Sequence, residues 1–108
     1  MSTHNRVNGG TATATAGAAT LNNRWGVVTS ESLATAAGAT YTLTVTDNQI
    51  AATDMVFASV AYGTSNAGSP AIMRVTPSAG SLVIIVQNIH ASAALNGTIV
   101  IAFGSFPA

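Results

Sequence analysis

Residues 39–46 read Ala39-Thr40-Tyr41-Thr42-Leu43-Thr44-Val45-Thr46, a strict alternation of polar and apolar side chains. Successive side chains of a β-strand point to opposite faces. The stretch therefore predicts a half-buried strand with Tyr41, Leu43 and Val45 inward and the threonines outward. Asp47-Asn48 closes it with side chains that bond their own backbone in turns. Asp47 is read as such a turn cap rather than as a catalytic base.

The same logic extends in both directions. Residues 55–62, Met-Val-Phe-Ala-Ser-Val-Ala-Tyr, are apolar on both faces over part of their length, which predicts a central strand. Residues 63–70 form a loop by composition. Residues 71–76 and 81–87 predict a hairpin through Pro77-Ser78-Ala79-Gly80, where Pro presets φ and Gly supplies a positive φ. Simple alternation along its first arm puts Arg74 on the face of Ile72, with Met73 and Val75 on the other. Residues 98–103, after Asn96-Gly97, predict the last strand, and residues 25–33 the first. Ser32 to Ala37 is too short for a helix and is broken by Gly38. Six or more short strands with turns between them predict an all-β fold, a small antiparallel β-sandwich or jelly-roll-like domain over residues 24–108.

Residues 1–23 differ. They contain Gly9-Gly10, a Thr-Ala alternation and Gly17, with only Val7 and Leu21 as sizeable apolar side chains. Such a stretch cannot offset its own ordering entropy by burial alone. It is read as a flexible or extended N-terminal arm whose alternation suits it to lie along a neighbouring sheet edge. Removing residues 1–20 is then expected to spare self-association and weaken attachment to a partner.

Composition narrows the function. Charged residues make up 6% of 108, with three arginines, three acids, no lysine and a formal net charge of zero. An ordinary soluble domain is about one-quarter charged. A neutral surface of Thr, Ser, Ala, Asn and Gly is poorly defended against association, and suits a protein covered by copies of itself or by a larger assembly. The lack of basic clusters argues against a nucleic-acid partner, whose phosphates require Lys and Arg. No window reaches the roughly 20 apolar residues of a helical membrane span, so no membrane partner is expected. Without cysteine, disulfides and thiolate metal sites are excluded.

Catalytic chemistry finds little to work with. Glu31, Asp47 and Asp54 are the only acids, and no Gly-x-Ser-x-Gly elbow or phosphate loop is present. Zinc needs three or four ligands, and the two histidines are His4, in the arm, and His90, alone in a connection. A His90 site on a three-fold axis is the one metal arrangement that ligand count allows. His90 is read instead as a ring that hydrogen-bonds loop backbone. The chain is therefore expected to be no enzyme and to hold no cofactor. Trp25 is read as core or subunit interface ahead of a stacking platform for sugar or peptide. Arg74 is read as solvated or as an intersubunit partner of Glu31 or Asp54. Arg6, Arg24, Trp25 and Arg74 are the candidate assembly contacts.

Three stretches carry a likeness: residues 26–46 (GVVTSESLATAAGATYTLTVT), 74–81 (RVTPSAGS) and 86–99 (VQNIHASAALNGTI). They resemble the small β domain of capsid decoration (cement) proteins of tailed bacteriophages, including those of cyanophages, and domains that end some longer phage fibre proteins. The resemblance spans about residues 25–103, is most specific at 88–97, and does not cover the arm. It implies a homotrimer on the outer capsid surface, made in the host cytoplasm, that bridges neighbouring major capsid proteins. It implies no catalytic residues. Two alternatives stand beside it. One is a fibre or spike component whose trimeric β tip binds a host surface, which predicts exposed aromatics at a loop end. The other is a free lectin-like or immunoglobulin-like module, which the charge count disfavours.

Overall fold

The computed structural model describes residues 10–106. These form eight strands: β1 (Thr11–Thr13), β2 (Ala18–Thr20), β3 (Trp25–Thr29), β4 (Thr40–Thr46), β5 (Met55–Tyr62), β6 (Pro70–Ser78), β7 (Ser81–Asn88) and β8 (Ile99–Phe106). They build two four-stranded sheets packed face to face. The first has the order β1-β3-β8-β5 and the second β2-β4-β7-β6. From β3 to β8 every pairing is antiparallel, and each connection except the β6–β7 hairpin crosses between sheets, the winding of a jelly roll.

Alternation fixes the interior. Val28, Ile99, Ile101 and Phe103 from the first sheet meet Tyr41, Leu43, Val45, Leu82, Ile84 and Val86 from the second, all buried. Leu33 and Leu95 close one end of this core. Burying each such side chain contributes about 1.5–3 kcal/mol against leaving it in water.

The Thr-Ala stretch is extended, and its edges are the chain's own. β1 pairs in parallel with β3, and β2 in parallel with β4. Between them Ala16 (φ 52°) and Gly17 (φ 79°) turn the chain, with Thr15 and Ala18 exchanging backbone hydrogen bonds of 2.9 and 3.0 Å. Two successive positive φ values are the requirement of a type I′ turn. The result is a strap with one strand on each sheet, burying Ala14, followed at once by the buried Leu21. Residues too poor in apolar bulk to order themselves are thus held by ladder hydrogen bonds to β3 and β4.

Three expectations need correction. β5 is an edge strand, paired only with β8 among the described residues, and its apolar Met55 and Phe57 face outward with no further layer of the described residues over them. A bulge at Met73 shifts the β6 register between Ile72 and Arg74. The extra residue turns Ile72 and Val75 inward and leaves Arg74 outward, so Arg74 does not share the face of Ile72. Pro77 is a strand residue opposite Leu82, so the turn itself is Ala79-Gly80. An edge strand tolerates this proline.

The two sides of the sandwich differ. On one, the strap covers β3 and β4. On the other, β5 and β6 run beside each other, and neither contains a fully buried residue.

Candidate assembly face

The registers of β3, β8 and β5 determine what the first sheet shows on its outer side. Gly104 lies opposite both Trp25 and Phe57, and Phe106 opposite Met55. Further along, Ala102 lies between Val27 and Ser59, and Val100 between Thr29 and Ala61. None of these positions carries a charge. Met55 is 67% exposed, Phe106 61%, Phe57 57% and Trp25 42%. An aromatic side chain carries roughly 150–250 Å² and Met is of comparable size, so the three aromatics and Met55 leave on the order of 400–500 Å² of apolar surface uncovered. That lies toward the upper end of the patches monomers leave exposed, and such patches are often functional.

The patch is ordered by its own packing. The Phe57 and Phe106 rings sit 5.7 Å apart, tilted by 32°. Phe57 lies against β8 at Gly104, where an added Cβ would come within 2.6 Å of Phe57 Cζ. The outer side of the second sheet contrasts with this. There β4 presents Thr40, Thr42, Thr44 and Thr46, β7 the half-buried Ser81, Val83, Ile85 and Gln87, and β6 the exposed Met73 and Arg74, with no exposed aromatic on these strands.

Of the four contact residues expected from composition and scarcity of charge, the structure brings one to this face. Trp25 stands on it; its exposure places it outside the core. Arg24 is half-buried, and its carbonyl accepts hydrogen bonds from the Ser105 N–H (2.9 Å) and hydroxyl (3.0 Å). Its positive charge acts on Asp47. Arg74 is exposed on β6 of the other sheet. Arg6 lies outside the described residues, as does His4. The acids considered as partners for Arg74 have local roles: Glu31 accepts from the Tyr41 hydroxyl at 2.8 Å, and Asp54 from the Ala51 N–H at 3.0 Å. Burial, reinforced by Glu31, pushes the Tyr41 phenol pKa upward.

Asp47 is the turn cap that the sequence predicts. Its Oδ1 accepts the Gln49 N–H at 3.0 Å, while the buried Oδ2 has no hydrogen-bond partner among the described residues. Desolvation raises its pKa above the ordinary carboxylate range, opposed by the Gln49 N–H and by Arg24.

At the opposite end of the sandwich, residues 88–97 form a polar network. The fully buried Asn88 satisfies its whole amide: Oδ1 accepts from the Ser69 and His90 N–H groups, and Nδ2 donates to the Thr35 and Ala93 carbonyls. Three loops are tied to one side chain. His90 Nδ1 accepts from the Ser92 and Ala93 N–H groups at 3.0 and 2.9 Å, which is the backbone-bonding ring expected. Asn96 Oδ1 likewise accepts from Asn66 and Ala67. Composition and motif give no hint of the role of Asn88. Its signal is phase: Leu82, Ile84 and Val86 point inward, and the next inward position is Asn88.

Comparison with known protein families, with curated proteins and with solved structures finds no match to this chain.

Proposed function

We propose that this chain is a structural virion protein of a tailed bacteriophage, a homotrimer that binds the outer surface of the mature capsid and cements neighbouring major capsid proteins. The observation that carries the reading is an uncharged aromatic face on a chain with 6% charged residues and no net charge. Such a molecule gains from being covered, and nothing in its surface charge resists association. The resemblance of residues 25–103 to decoration proteins supplies the setting.

The physics of cementing suits the molecule. A protein that binds the assembled shell and not its separated parts stabilises the shell by mass action, about 2.7 kcal/mol per site at a hundredfold excess over Kd. Three modest contacts on one trimer reinforce each other through effective concentration, so no single contact has to be strong. The strap is already paired in cis, so shell attachment in this reading falls to preformed surfaces, which reduces the ordering entropy of docking.

A fibre or spike component is the second reading, favoured by the gathering of Trp25, Met55, Phe57 and Phe106 at one end of a sheet. Against it, a sugar site needs polar groups converging on its aromatic platform, and the in-register neighbours here are Gly104, Ala102, Val27 and Ser59. Gold labelling of the protein on intact virions separates the two. Label spread over the head supports the decoration role. Label confined to the tail or to one vertex refutes it and supports the fibre.

A further inference from the structure

We propose that the β5 side of the first sheet is where copies of this chain meet, with Trp25, Met55, Phe57 and Phe106 at the centre of the contact. The proposal rests on the homo-oligomer part of the reading above and gives it a surface.

Area is the first argument. A standard interface buries about 800 Å² per partner around an apolar centre. The aromatic cluster supplies roughly half of that, and β5 supplies a continuation. No residue of β5 is fully buried: Met55 and Phe57 are exposed outside, and Val56, Ala58 and Val60 are only half-buried inside. Among the described residues its backbone pairs on one side alone. A partner seated on the cluster and reaching around this edge would cover both.

Charge is the second argument. The registered positions of this face hold no ionisable side chain, and the whole chain is neutral. An identical copy therefore brings no repulsion and no unpaired charge to be buried. The strap side offers no comparable surface, since β1 and β2 are short strands of Thr and Ala.

Trp25 is the chain's single tryptophan, so its emission reports on this face alone. Wild-type protein at micromolar concentration should sediment as an oligomer with blue-shifted emission. Dilution should move the emission to the red in step with dissociation. Phe57→Ser and Met55→Lys should each raise the dissociation constant at least tenfold while keeping a β circular-dichroism spectrum. Thr42→Lys, on the opposite sheet, should leave it unchanged. If the wild type is oligomeric and both face variants associate as it does, copies meet elsewhere: the proposal falls and the oligomer stands. If the wild type stays monomeric, the proposal and the homo-oligomer part of the reading fall together, and a Trp25 emission shift on adding capsid shells would then leave shell binding standing through this face. Should Phe57→Ser fail to fold, Met55→Lys and the dilution series decide the matter.

Discussion

The Phe57 ring rests on the bare backbone of Gly104, across the strand boundary between β5 and β8. A methyl group at position 104 would meet Phe57 Cζ at 2.6 Å and Cε1 at 3.0 Å. The obstructing atoms are the far end of an exposed side chain, so the ring can swing away while the ladder stays intact. Gly104→Ala should therefore change unfolding free energy by less than about 1 kcal/mol, since the lost ring contact is offset by the lower backbone entropy of Ala. It should nonetheless disrupt the aromatic cluster. Urea unfolding together with sedimentation checks both halves: near-native stability with weakened self-association is expected.

Asn88 poses the opposite case, a buried side chain with every amide bond made. Asn88→Ala strands two N–H groups and two carbonyls in three loops. The expected loss is about 2–4 kcal/mol, from unsatisfied buried groups at about 1–3 kcal/mol each with partial relief by water. Asn88→Asp keeps the acceptor but loses both donors and buries a charge, so it should do no better. Urea midpoints measure the loss, and amide exchange at Ser69 and His90 should accelerate with it.

Asp47 makes stability depend on pH. Its pKa is raised on folding, chiefly by desolvation, so the native state holds the proton more tightly than the unfolded chain. For an acid shifted in this direction, the contribution is full below the unfolded pKa and is lost as pH rises through the higher native pKa. Unfolding free energy should thus fall as pH climbs out of the ordinary carboxylate range. Asp47→Asn keeps an oxygen for the Gln49 N–H and should flatten this dependence. Subtracting the two pH profiles, measured by urea unfolding, isolates Asp47 from Glu31 and Asp54. Identical slopes would refute the assignment.

Deleting residues 1–20 removes both strap strands, uncovers β3 and β4 and takes the buried Ala14 out of the core. This deletion should lower stability by several kcal/mol, since six ladder positions and a buried residue go together. The urea midpoint of the truncated chain against that of the full chain tests it.

The strand positions are largely legible in the sequence. Alternation locates β4 and its inward Tyr41, Leu43 and Val45, and the apolar run 55–62 matches the span of β5 to the residue. Partners are harder to read. An apolar residue facing a second layer and one facing outward from an edge look alike in a pattern, which is why the residues of β5 predict a central strand. The Met73 bulge depends on cross-strand register, and local alternation carries no trace of it. The strap escapes a local reading because short Thr-Ala strands owe their order to backbone pairing with distant segments. At the candidate face, Trp25 is visible as a lone tryptophan, but its grouping with Phe57 and Phe106 arises only when β8 enters between β3 and β5.

That insertion also controls when the surface can come into being. β3 and β5 have no contact register with each other until β8 occupies the place between them. During synthesis, Trp25, Met55 and Phe57 leave the ribosome well before Gly104 and Phe106, so a partly made chain holds the pieces of the patch without its geometry. Any contact that needs all four side chains together has to wait for a finished sheet, so the position of a single strand sets folding ahead of recognition.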